Sequence, residues 1–273
     1  DAQVGAVIGR DVGASGTVQI EGAGASWTEQ SGWMHLGNYG TGVVFVLDGA
    51  ELSTRNVVIA NQASGSGTVT VDGAGTLWDN EYNIEIGRDG TGVVVVSGGA
   101  QVHNETLKIG FGDGATGGAS TMGKGALSLT GADTRWINSG GATLKGDATL
   151  LVENGASFET VQGGLYTAEG GTILVRGPGT TMKIGTLHDT PPADFGSADG
   201  WFSPDSGTIL ISDGAQLLSD GGYVGGAGTV AANMTVTGAG TVWDTLVGLY
   251  VGGTGNGPTG TGNLTIADGA RAT

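Results

Sequence analysis

The stretch Gly42-Val43-Val44-Phe45-Val46-Leu47-Asp48-Gly49-Ala50 decides the fold. It is a β-branched, apolar run opened by one Gly and closed by another, the signature of a short strand between tight turns. The same plan stands at Gly16-Thr17-Val18-Gln19-Ile20-Glu21-Gly22, where Val18 and Ile20 alternate with polar residues at strand period. It returns at Thr68-Val69-Thr70-Val71-Asp72 and at Thr208-Ile209-Leu210-Ile211-Ser212.

These runs end in two ways. Five close on Gly-x-[Gly/Asp]-x-x-[Trp/Met]: Gly22 to Trp27, Gly73 to Trp78, Gly131 to Trp136, Gly177 to Met182 and Gly238 to Trp243. Five others close on Gly-Ala, at Gly49-Ala50, Gly99-Ala100, Gly155-Ala156, Gly214-Ala215 and Gly269-Ala270. Successive turn glycines lie 27, 24, 26, 32, 24, 22, 37, 24 and 31 residues apart. The three long steps hold Gly- or Pro-rich insertions at 111–123, 186–206 and 253–262. A period near 25 residues marks a solenoid or a propeller. Between the markers lie further short runs, such as Asn83-Ile84-Glu85-Ile86-Gly87 and Gly248-Leu249-Tyr250-Val251-Gly252. Two or three strands per period is one rung of a parallel β-helix.

The expected fold is all-β: a right-handed, single-stranded parallel β-helix of about ten or more rungs, continuous over 1–273. Crossover chirality supplies the hand, and ten rungs at about 4.8 Å give a rod of about 50 Å. The alternative is a five-bladed β-propeller. Unequal steps favour the solenoid, in which a loop can bulge from any rung without spoiling ring closure.

Composition agrees. Gly supplies 58 of 273 residues, without the three-residue period and Pro content of collagen. That much Gly is incompatible with a helical protein, and 38% hydrophobic residues exceed what a disordered chain carries. The corner positions of a stacked coil need residues that tolerate positive φ, which accounts for the Gly. A net charge of −16 works against binding nucleic acid or anionic lipid. No apolar run is long enough to form a spanning helix, so direct membrane insertion of this segment is not expected. No basic-then-apolar signal sequence is evident either. Without Cys there is no disulfide, thiolate zinc site or thiol nucleophile.

The string Gly-Thr-Gly-Val-Val-x-Val-x-x-Gly-Ala, preceded by Ile-Gly-x-x-Gly, stands at Ile86 to Ala100. With Leu36 in place of the Ile it recurs at Leu36 to Ala50. Together with the Gly-Ala-Gly-x-x-Trp half, it resembles the repeat of bacterial autotransporter (type V secretion) passenger domains of the adhesin and self-association type. The resemblance covers essentially the whole chain and implies a scaffold more strongly than a ligand. It implies a non-catalytic, surface-exposed segment anchored through a C-terminal outer-membrane barrel that this sequence does not contain. Its partners would be a host surface, an extracellular-matrix protein or glycan, or the same passenger on a neighbouring cell. The chain breaks off just after Gly269-Ala270, where earlier units continue, so an excised piece is expected.

Few residues escape the scaffold. Of 17 Asp, 8 precede Gly directly, which is ordinary turn chemistry. Catalysis, as in a glycan-degrading β-helix, needs two carboxylates on neighbouring rungs of one face, and spacing alone reveals no such pair. His35, His103 and His188 lack metal-ligand spacing, so no metal or cofactor is expected. The repeat Trp residues fit an internal stack better than a sugar-stacking stripe. Segment 186–206 stands out, with four Asp, one His and three of the five Pro. Its His188, Asp194, Phe195, Asp199, Trp201 and Phe202 form the candidate binding set, set against simple packing back onto the coil. An inert stalk holding a distal binding tip is the remaining alternative.

Overall fold

The computed structural model describes residues 4–112, 122–185, 200–226, 230–253 and 260–273. Among them are 28 strands and no helix. Every strand pairing is parallel, within one ten-stranded and one eighteen-stranded sheet. Propeller blades are built from antiparallel strands, so the structure excludes the propeller. The chain is a parallel β-solenoid in which each turn adds one strand to the ten-stranded sheet and one or two to the other. Thr91–Ser97 followed by Gln101–Asn104 and Thr106–Ile109 is one such turn.

Alternation does the sorting, as strand period requires. In Thr41–Leu47, Gly42, Val44 and Val46 are buried while Val43, Phe45 and Leu47 stand half-buried on the outside. Register is kept from rung to rung, so Val44 lies between Val18 and Val69, and Val46 between Ile20 and Val71. The ladders continue through Val94, Leu127, Leu150, Ile173 and Ile209. Each fully buried aliphatic side chain contributes about 1.5–3 kcal/mol, and the coil repeats this at every turn.

The strands Ser66–Asp72 and Thr91–Ser97 each begin one residue before an obligatory Gly. A Cβ on Gly92 would come within 2.3 Å of the backbone nitrogen of Gly87, at the corner leading into the same strand. That contact is backbone on backbone and cannot yield. It is the physical content of the Gly-Thr-Gly motif.

The two sequence endings are two corner types that alternate at one edge of the coil. At Asp48-Gly49 both residues have positive φ (56° and 85°), and the Ala50 amide donates to Leu47 O at 3.1 Å. Asn154-Gly155 and Asp213-Gly214 repeat this tight form. On the next rung Gly73-Ala74-Gly75 makes a corner one residue longer, closed by the Thr76 amide donating to Gly73 O at 3.2 Å. The half-repeat is therefore structural, and the true repeat is two rungs.

Candidate functional site

The predicted binding set divides. His188, Asp194, Phe195 and Asp199 lie outside the described residues. Trp201 and Phe202 open the strand Trp201–Pro204, so 201–206 belongs to the coil and is not part of a protruding insertion. Phe202 is fully buried, with its ring edge-on to Trp243 at 6.0 Å between centroids. It packs in the core and presents nothing to a ligand. Trp201 points the other way and is half-buried on the outer surface.

The repeat Trp residues are resolved in the same manner. Trp78, Trp136 and Trp243 have no exposed surface, which removes a sugar-stacking role for them. They share one internal column with smaller residues set between: Leu52, Trp78, Val102, Trp136, Phe158, Met182, Leu217, Trp243. Each indole N–H finds a buried acceptor two residues along the strand direction. Trp78 donates to Thr54 Oγ1 at 2.9 Å, Trp136 to Asn104 Oδ1 at 2.9 Å and Asn138 Oδ1 at 3.1 Å, and Trp243 to Ser219 Oγ at 3.0 Å. A buried indole needs such a partner.

A second set of buried polar residues escaped the sequence reading. Thr76, Thr134, Thr180 and Thr241 follow their corner Gly by three residues and are at most 1% exposed. Each hydroxyl donates to the carbonyl four residues back: Asp72, Thr130, Arg176 and Thr237. Each also accepts from the tight-corner Gly amide of the preceding rung: Gly49, Gly99, Gly155 and Gly214, at 2.8–3.0 Å. The visible clue was Gly-x-x-Thr in four of the five longer corners, with Ala25 in the first.

Several charged groups on the outside of the coil pair with opposite charge. Glu85 is 5% exposed and faces Lys108 Nζ at 3.1 Å and Arg88 Nε at 3.5 Å, while Glu159 faces Lys183 Nζ at 3.5 Å. His103 Nδ1 lies 4.0 Å from Asp79, across one rung. Burial, then the Arg88 charge, holds the His35 pKa below its ordinary 6.5. An open groove of about 720 Å³ gathers Asp147 and Glu169 from neighbouring turns. Asp147 is exposed and meets Lys124 Nζ at 3.6 Å, whereas a general acid needs a desolvated carboxyl. Among the described residues no group of three His, Asp or Glu has the arrangement of a metal site.

A regular surface is formed by the outer face of the ten-stranded sheet. One of its outward columns runs Thr17, Val43, Thr68, Val93, Ala126, Thr149, Thr172, Thr208, Asn233, Asn263. Its neighbour runs Gln19, Phe45, Thr70, Val95, Ser128, Leu151, Leu174, Leu210, Thr235, Thr265. Neither column contains a charged residue over ten rungs, in a chain of net charge −16. Charge is kept to the flanks, at Glu21, Asp72, Lys124, Glu153 and Arg176. No protein-family model, curated protein or solved structure matches the chain.

Proposed function

We propose that this chain is a non-catalytic adhesive scaffold, a stretch of a bacterial surface protein of the autotransporter passenger type. It holds cells to a host surface or matrix component, or to one another. The observation that carries this reading is the uncharged ten-rung face. Ten strands at about 4.8 Å, two side-chain columns wide, give about 45 Å by about 13 Å, on the order of 600 Å². That approaches the roughly 800 Å² per partner of a stable protein contact. Its half-buried Val and Leu rows supply apolar area, and its Thr and Asn rows supply hydrogen bonds. The two columns carry no charge of their own, so like-charge repulsion between copies is weaker there than at a carboxylate-bearing surface. Many such rods per cell multiply a weak contact into firm attachment. The repeat strings at Leu36 to Ala50 and Ile86 to Ala100 support the secreted, surface-displayed setting. Display of the chain on cells or beads tests the reading: clumping, or retention on matrix-coated surfaces, is expected. Release of new reducing ends from polysaccharide by the purified chain would overturn it in favour of an enzyme.

A further inference from the structure

Three tight corners are built on Asp-Gly, at Asp48-Gly49, Asp213-Gly214 and Asp268-Gly269, but at Asn154-Gly155 an amide stands where these carry a carboxylate. Asn154 has φ 57° and Gly155 has φ 87°. The corner is tied to the rungs on both sides. Asn154 Nδ2 donates to Thr130 Oγ1 at 3.1 Å, and the Gly155 amide donates to Thr180 Oγ1 at 2.9 Å. Within the turn, the Ala156 amide donates to Glu153 O at 3.2 Å. Thr180 is fully buried, whereas Asn154 faces solvent.

Asn followed by Gly is chemically labile in water, because Gly has no Cβ to keep its amide nitrogen away from the preceding side chain. In deamidation the Gly155 nitrogen attacks Asn154 Cγ. The new C–N bond closes a succinimide ring, and Nδ2 leaves as ammonia with the proton that Gly155 N gives up. Water then opens the ring. Cleavage between Gly155 N and Asn154 Cγ gives Asp, and cleavage between Gly155 N and the Asn154 main-chain carbonyl gives isoaspartate, whose backbone runs through Cβ and Cγ. Among the described residues no other Asn precedes Gly, and Asn138, which precedes Ser139, is fully buried.

We propose that Asn154 is a site of spontaneous deamidation and that the Thr180 hydroxyl governs its rate. To attack, the Gly155 nitrogen must give up its proton, and that proton is engaged with Thr180 Oγ1. The leaving Nδ2 is held by Thr130. Ring closure therefore waits for the corner to open, and opening becomes easier when the Gly155 amide has no acceptor to lose. The two products differ in consequence. Asp at this position reproduces the corners at Asp48 and Asp213, whose φ values are 56° and 57°. Isoaspartate lengthens the backbone of the turn that Ala156 and Glu153 close, which spoils its match to the rung of Thr180. Both products add a negative charge beside Glu153 on a chain already at −16. The site rests on the corner alone and stands whether or not the chain is adhesive.

The test incubates the whole folded chain in mildly alkaline buffer and samples it over time. Peptide mass spectrometry reads the loss of the Asn154 amide, and chromatography separates the Asp and isoaspartate peptides. Conversion is expected in the wild type, about tenfold faster in Thr180→Val and near the wild-type rate in Thr180→Ser. Thr76→Val removes the equivalent hydroxyl from the Asp48-Gly49 corner and leaves the Asn154 rate unchanged, which controls for general loosening. Asn256-Gly257 lies outside the described residues and is the reference within each sample, with one rate in every variant. Independently of any variant, conversion of wild-type Asn154 is about tenfold or more slower in the folded chain than in urea. Equal rates in wild type and Thr180→Val overturn the proposal, as does no conversion in either. Equal rates in folded and urea-unfolded wild type overturn the protection, and acceleration of the same size in Thr76→Val overturns its assignment to Thr180.

Discussion

Replacing Thr134 by Val tests whether the buried threonines knit the two corner types together. Val matches Thr in shape but lacks the hydroxyl, and Thr134 is fully buried. The change strips the Gly99 amide of its acceptor at 3.0 Å and the Thr130 carbonyl of a donor at 3.0 Å. Leaving a buried donor unsatisfied costs about 1–3 kcal/mol, and the carbonyl adds a smaller loss. The new methyl regains about 0.8 kcal/mol of apolar burial. The net expectation is about 2 kcal/mol, concentrated at one corner. A solenoid is stabilised rung by rung and need not unfold in one step, so a global melt is the wrong instrument. Hydrogen exchange resolved at Gly99 reads the corner directly, and about 2 kcal/mol corresponds to exchange roughly thirtyfold faster. Thr134→Ser should restore most of the protection. Thr130→Val is the control, because the Thr130 side chain is only half-buried and accepts from Asn154 Nδ2 on the surface. Unchanged Gly99 exchange in a folded Thr134→Val protein would refute the reasoning.

Three further outcomes follow from the structure. Gly222→Ala drives a methyl into the buried Trp243 ring and should cost about 1–3 kcal/mol, seen as a lower melting temperature. Gly221→Ala displaces the outward Trp201 ring instead and should chiefly change its fluorescence. Burial holds the His35 pKa below 6.5, so the unfolded chain binds the proton more readily. That contribution to stability is complete above pH 6.5 and is lost as pH falls towards the lower folded value. His35→Phe should therefore flatten the acid side of the stability profile, measured by denaturant titrations at neutral and mildly acidic pH. An unchanged slope would show that His35 is not the group responsible.

How far the sequence could be read depended on whether a residue's role is local or stacked. Corner glycines and alternating Val runs are local signals, so the period, the all-β class and the parallel coil were accessible from Gly42 to Ala50 and its echoes. Thr76, Thr134, Thr180 and Thr241 were overlooked because Gly-x-x-Thr is unremarkable alone. Its meaning appears only when the preceding rung's Gly amide lies beside the hydroxyl. Phe202 was misjudged for the related reason that strand parity sets its direction. Within Trp201–Pro204 neighbouring residues face opposite sides, so Trp201 goes out and Phe202 goes in. Reading 186–206 as one loop concealed that alternation. The uncharged face was equally hidden, since its columns collect residues some 25 positions apart and exist only once the register is known.

The adhesive role of that face is tested most directly by charging it. Val95 and Leu174 stand half-buried in the outward column, so Val95→Lys with Leu174→Lys places two ammonium groups on the face without touching the core. Ile137→Lys with Leu218→Lys is the matched control on the outer side of the other sheet. Beads coated with the wild-type chain are compared with beads carrying each variant, at matched density and with folding checked by circular dichroism. Clumping by the wild type and the control, with loss of clumping only in the face variant, is the predicted result. Undiminished clumping of the Val95→Lys, Leu174→Lys beads would contradict the assignment of adhesion to this face.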